Sequence, residues 1–247
     1  MEIKVIKFLG IKFYNINYSQ VKKKLFQKKG YLVIPAASAL SYIYQKKNYY
    51  YLNALRESNV AIFDSGLFCL CLLLIKFIKV KKFSGYKFIN YFLSDVTIKS
   101  KKILVLNSNK KEEKLSRILL NAKKFELVKH YICPIYNPKL IHDKILIKII
   151  NNYKPEIVII NISGGVQEPL ALYLKKNTKI KFVSICSGAA LGFFSGMHAP
   201  ITKFADSFYL GWFSRIIYNP YVFIPRLTKS ISLLFIVLTN PVTILKK

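Results

Sequence analysis

The sequence predicts an α/β protein built on a mainly parallel sheet with helices on both faces. Short, β-rich apolar runs alternate with helix-patterned segments, which is the order of βαβ units. The runs are apolar throughout, as strands covered on both faces are. An acid and several glycines directly follow such runs, at the strand carboxyl ends where open α/β sheets bind ligands.

The predicted strands are Tyr31–Ile34, Val60–Phe63, Ile103–Leu106, Glu126–Tyr131, Ile157–Ile162 and Ile180–Ile185. Helical patterns fall between most of them, at Asn48–Glu57, Lys110–Ala122, Ile141–Asn151 and Gln167–Lys176. Pro134, Asn137 and Pro138 mark a central loop. Near Tyr218 the composition shifts, and Pro220, Pro225 and Pro241 interrupt an apolar, basic tail. The expected organisation is a main domain over 1–217 and a membrane-proximal appendage over 218–247.

At 247 residues the chain can bury one large core, and its 53% apolar content excludes a disordered chain. The formal net charge is +29. Attraction to polyanions is one reading of that charge. Coding bias is the other, because all but four of the 40 basic residues are lysine, and it explains most of the amount. The sign still favours an anionic membrane surface. Cys69, Cys71, Cys133 and Cys186 form no C-x-x-C pair and read as buried thiols of a reducing cytosol. His130, His142 and His198 lack ligand spacing, so no metal site is predicted. No secretory signal is read at the N-terminus, and the longest apolar run, Leu67–Ile75, is too short to span a bilayer.

Five constellations could carry chemistry. Asp64, in Phe63-Asp64-Ser65-Gly66, is one of 4 Asp and 7 Glu in the chain. It is either a proton acceptor at a strand end or a cap on the next helix. Ser163-Gly164-Gly165-Val166-Gln167-Glu168 places glycines between a strand and a helix. Backbone amides there can approach a diphosphate, with Gln167 on sugar or phosphate oxygens and Glu168 on a ribose hydroxyl. A plain glycine turn with a capping acid fits equally well. Gly188, in Ser187–Gly192, permits close approach of either a ligand or a packed element. Arg215 and Arg226 are two of only four arginines and suit bidentate contact with a diphosphate, or else are solvated helix residues. Lys76–Lys82 interleaves lysines with apolar residues and reads as a solvated helix end more readily than as a lipid-headgroup patch.

Taken in order, these pieces resemble the WecG/TagA/CpsF family of bacterial glycosyltransferases from about Tyr31 to Arg226. The resemblance rests on Phe63-Asp64-Ser65-Gly66, Ser84-Gly85 and Leu104–Asn107. It continues through Lys154-Pro155-Glu156, Gly164–Glu168, Gly196, Ala199-Pro200 and Gly211–Arg215. It implies a Rossmann-like fold and an inverting, metal-independent and cofactor-free transfer of an N-acetylhexosamine-type sugar from a UDP donor. The implied acceptor is a polyprenyl-diphosphate-linked sugar at the inner face of the plasma membrane, for cell-surface polysaccharide. By the same resemblance Asp64 is the base, Gln167 lies near the donor and Arg215 and Arg226 match the family's C-terminal arginines, while Glu168 and Gly188 are set on the donor side by their place in the glycine turns. Ser65, Ser84 and His198 fall on the acceptor side, and an oligomer is compatible with the pattern. The chain departs from the family at Ile34-Pro35-Ala36, Lys87, Val166 and His198, which marks a divergent branch. Three rivals stand beside this reading. A nucleic-acid module lacks a binding motif. A dinucleotide oxidoreductase lacks G-x-G-x-x-G after its first strand. The third is a non-catalytic binder of lipid-linked sugar.

Overall fold

The computed structural model describes residues 4–46, 48–194 and 220–246. It begins with a β-hairpin, β1 (Val5–Phe8) and β2 (Ile11–Tyr14). Leu9 and Gly10 both take positive φ, 51° and 82°, as a two-residue turn matched to strand twist requires. Ile6, Phe8, Ile11 and Phe13 are buried while Lys7 and Lys12 face water. Helix α1 (Tyr18–Lys28), closed at its start by an Asn17–Gln20 capping box, leads into β3 (Tyr31–Val33). Next come α2 (Ala37–Lys46), α3 (Tyr49–Arg56), β4 (Val60–Ile62), α4 (Gly66–Lys76) and α5 (Gly85–Ser94). Three βα pairs follow: β5 (Ile103–Asn107) with α6 (Lys110–Ala122), β6 (Val128–Ile132) with α7 (Lys144–Tyr153), and β7 (Ile157–Asn161) with α8 (Gln167–Asn177). Strand β8 (Val183–Cys186) runs into a 3-10 helix, Gly188–Phe193. Helix α9 (Pro220–Thr239) and strand β9 (Val242–Lys246) complete the described chain.

The strands form one sheet in the order β6-β5-β7-β8-β3-β4-β2-β1-β9. From β6 to β2 every neighbouring pair is parallel, and β1 pairs antiparallel with both β2 and β9. All residues of β5 and β7 are buried, which explains their unbroken apolar runs. Alternate residues serve opposite faces. Leu104, Leu106, Val158 and Ile160 pack with buried residues of α2, α3, α4, α7, α8 and α9. Ile103, Val105, Ile157 and Ile159 pack with those of α1, α5 and α6.

Two expectations about the tail need correction. Residues 242–246 do not lie beyond the sheet, because β9 pairs with β1 along an edge that would otherwise leave its backbone groups unpaired. Leu233, within the stretch expected to be membrane-proximal, is fully buried with Ile236 and Val237 where α9 covers α2 and α4. The composition shift at Tyr218 therefore marks an apolar cover on one face of the sheet.

Candidate active site

The topology creates a divide between β5 and β7. After β5 the chain leaves through α6 on one face toward β6, and after β7 it leaves through α8 on the other face toward β8. A crevice opens where such connections part. A cavity of about 440 Å³ lies there, within the range for small-molecule sites. Its walls are Ser108 and Glu112 after β5, Cys133–Tyr136 after β6, Asn161–Gly164 and Val166 after β7, and Gly188 and Gly192 after β8. Among the described residues no lysine or arginine lines it. Burial pushes the Cys133 thiol up to about 12, so this sulfur stays protonated and is no nucleophile at neutral pH.

The glycine turn after β7 is held from beneath. Gly165 adopts φ 87° and its N–H donates to Glu168 Oε2 at 2.8 Å. Gln167 Nε2 donates to Glu168 Oε1 at 3.0 Å, and Gln167 Oε1 accepts from Gly188 N at 2.8 Å. One polar relay therefore joins the turn after β7 to the turn after β8. Gln167 and Glu168 are 3% and 1% exposed, so their side chains shape the two turns and do not face the cavity. Tyr51 of α3 also bonds Glu168, and burial lifts this carboxyl to about 7. Above this relay Ser163 and Gly164 are exposed, and a methyl at Gly164 would meet nothing within 4 Å. Helix α8 starts there without a side-chain cap.

The opposite wall is set by Asp143. Its Oδ2 accepts from Tyr136 at 2.6 Å and from Tyr131 at 2.9 Å, while Oδ1 caps α7 at Leu146 N. Tyr136, which lines the cavity, is thus fixed by a buried acid. Sequence reasoning missed Asp143, although it is as scarce as Asp64 and directly precedes an apolar-periodic helix. The predicted helix start at Ile141 hid its capping role. Tyr51 carries no local signal, since only the packing of α3 on α8 brings it to Glu168.

Asp64 follows β4 on the same sheet edge. Three strand steps, β4 to β3 to β8 to β7, separate it from Gly164, about 14 Å at ordinary strand spacing. Helix α4 is capped by Ser65, whose Oγ accepts from Phe68 N at 3.1 Å. Asp64 instead reaches across the chain, and its Oδ1 accepts from Gly85 N at 2.8 Å, the first residue of α5. Ser84 is buried and caps α5 at Lys87 N. A methyl on Gly85 would come 3.1 Å from Ile34 and 3.5 Å from Ala190, so α5 begins wedged against the 3-10 helix that lines the cavity. Tyr86 stacks on Phe194 at 4.8 Å and closes the same junction. Asp64 itself is half-buried and is not among the residues that line the cavity. His198 and Arg215 lie outside the described residues, as does the side chain of Arg226.

An open, mostly parallel sheet with its cavity at the carboxyl ends of the strands, between diverging connections, defines a Rossmann-like enzyme. Within that class the chain belongs to the glycosyl transferase WecG/TagA/CpsF family, whose model matches residues 6–246. The match includes the N-terminal hairpin and β9, so nearly all of the sheet is family structure. No curated protein matches the chain. The protein is a glycosyltransferase by family.

Proposed function

We propose that this chain moves an N-acetylhexosamine-type sugar from a UDP donor to a sugar carried on a polyprenyl diphosphate, with inversion. The observation that carries the reading is Asp64, fixed by Gly85 N on the sheet edge that also holds the glycine-walled cavity. Asp64 takes the proton of the acceptor hydroxyl as that oxygen bonds to the anomeric carbon. The bond from that carbon to the donor phosphate breaks, and UDP leaves with the charge. The exposed Ser163-Gly164 turn and the uncapped start of α8 supply dipoles suited to a diphosphate. Arg215 and Arg226 are the proposed cations. Gln167, Glu168 and Gly188 act in this reading by holding the turns. Ser65 and Ser84 act by fixing the helices on either side of Asp64, and His198 stays assigned to the acceptor side.

The proposed workplace is the inner face of the plasma membrane. No described helix is long and apolar enough to cross a membrane. Leu70, Leu73 and Leu74 of α4 and Phe77 at its C-terminal cap, however, are exposed, as are Ile231, Leu234, Phe235 and Leu238 of α9, which packs on α4. Such a face can lie on a bilayer, with lysines at the headgroups. The reading is tested by screening UDP-sugars against a short-chain lipid-diphosphate sugar by mass spectrometry, with Asp64→Asn alongside. Transfer by the wild type and a loss of about 10²-fold or more in the variant are expected. A fully active variant removes Asp64 from the mechanism.

A further inference from the structure

Between Asp64 and Asp95 the chain carries five lysines and no acid. Three of them, Lys79, Lys81 and Lys82, lie on the segment joining α4 to α5. That segment starts at Phe77, which is 89% exposed at the end of the apolar α4 face. Ile78 and Val80 then turn inward, 7% and 6% exposed, while Lys79 and Lys81 stay outside. This period of two is that of an extended chain. The segment is also anchored. Lys81 N donates to Asn15 Oδ1 at 3.0 Å and Phe83 N donates to Phe63 O at 2.9 Å, one residue from Asp64. At its other end Lys76 Nζ reaches Leu238 O of α9 at 3.1 Å. Lys82 directly precedes Phe83, so the Phe83–Phe63 backbone bond brings the last lysine of the run beside the residue that leads into Asp64. The five steps from Phe77 to Lys82 cover about 17 Å at extended-chain spacing.

We propose that Lys79 and Lys81, continued by Lys82, form a track for a membrane-borne diphosphate ester, running from the apolar α4–α9 face to Asp64. The inference rests on the reading of Asp64 as the base and of the acceptor as lipid-linked, and it deepens that reading by naming where the diphosphate sits. An apolar tail enters at Phe77, the phosphates pair with the outward lysines, and the attached sugar arrives at the carboxylate. Ordinary headgroup phosphate would meet the same lysines, so the test separates the two sources.

Flotation is measured with the full chain on three vesicles: phosphatidylcholine alone, phosphatidylcholine with phosphatidylglycerol, and phosphatidylcholine with undecaprenyl diphosphate at matched charge. The wild type is expected to bind the diphosphate vesicle more tightly than the phosphatidylglycerol vesicle. A general anionic-surface contact would cost Lys79→Gln/Lys81→Gln up to about 30-fold on either vesicle at low salt, at about 1 kcal/mol per lysine, and the track requires a clearly larger loss on the diphosphate vesicle than on phosphatidylglycerol. Equal losses on both anionic vesicles would make the track a general headgroup contact and overturn the proposal. So would wild-type binding by the double variant. The readout needs no turnover. A chain that shows the diphosphate preference through these lysines, yet keeps full transferase activity as Asp64→Asn, supports the track and sinks only the assignment of the base.

Discussion

Glu168→Gln tests the buried relay beneath the glycine turns. The wild-type carboxyl is 1% exposed and its ionisation is lifted from 4.5 to about 7, first by burial, against the opposing hydrogen bonds of Gly165, Gln167 and Tyr51. Between those two pH values the folded protein keeps a proton that the unfolded chain has released. Folding stability from this group therefore falls as pH rises from 4.5 through 7. At about 1.4 kcal/mol per pH unit, that difference is worth roughly 3 kcal/mol in all. Glutamine does not titrate, so the variant lacks this fall. Any fixed cost of the amide is the same at every pH. Denaturant melts of the two proteins from pH 4.5 to 8 should thus show their difference moving by roughly 3 kcal/mol toward the variant, equivalent to several degrees of Tm at this chain length. Function should move the other way. The relay is directional, from Gln167 Nε2 to the acid and from Gly188 N to Gln167 Oε1. An amide at 168 cannot accept on both oxygens, so one donor beneath the turns loses its partner and the donor KM should rise. Parallel stability curves for the two proteins would refute the buried, ionisable relay.

Other outcomes follow from the same geometry. Gly188→Ala places a side chain at φ 51° and 3.2 Å from Gln167 Nε2, and should cost about 1–2 kcal/mol in chemical denaturation. Gly164→Ala meets open space at ordinary φ, so stability should hold, while calorimetry with UDP shows weaker binding if the diphosphate lies on that turn. Leu233→Ala should cost about 2–5 kcal/mol, whereas Leu234→Ser/Phe235→Ser on the outer face of the same helix should leave Tm nearly unchanged and reduce vesicle binding. Tyr136→Phe removes the 2.6 Å bond to Asp143 and should raise the donor KM with little change in kcat, measured with saturating acceptor.

The central strands were legible because being covered on both faces demands apolar residues at every position. The predicted runs at Val60, Ile103 and Ile157 begin where β4, β5 and β7 begin, and Lys110–Ala122 is α6 as observed. The N-terminal hairpin was missed because its four-residue strands alternate lysine with apolar residues around a Leu-Gly turn, a signal too short to separate from composition. Helix α4 and helix α9 were seen only as apolar runs. Nothing in their spacing says which side meets the core, because each is apolar almost all round.

By itself the sequence determined the α/β class, the family and the positions of Asp64 and the glycine turns, since these depend on patterns of adjacent residues. Only the tertiary structure decided what each polar group faces. Packing turned Gln167 and Glu168 inward under the turns, gave the cap of α4 to Ser65, sent Asp64 to Gly85 and brought β9 back to β1. Those partners lie 21 residues away or farther for Gln167, Asp64 and β9, and a buried polar group takes whichever donor the fold delivers to it.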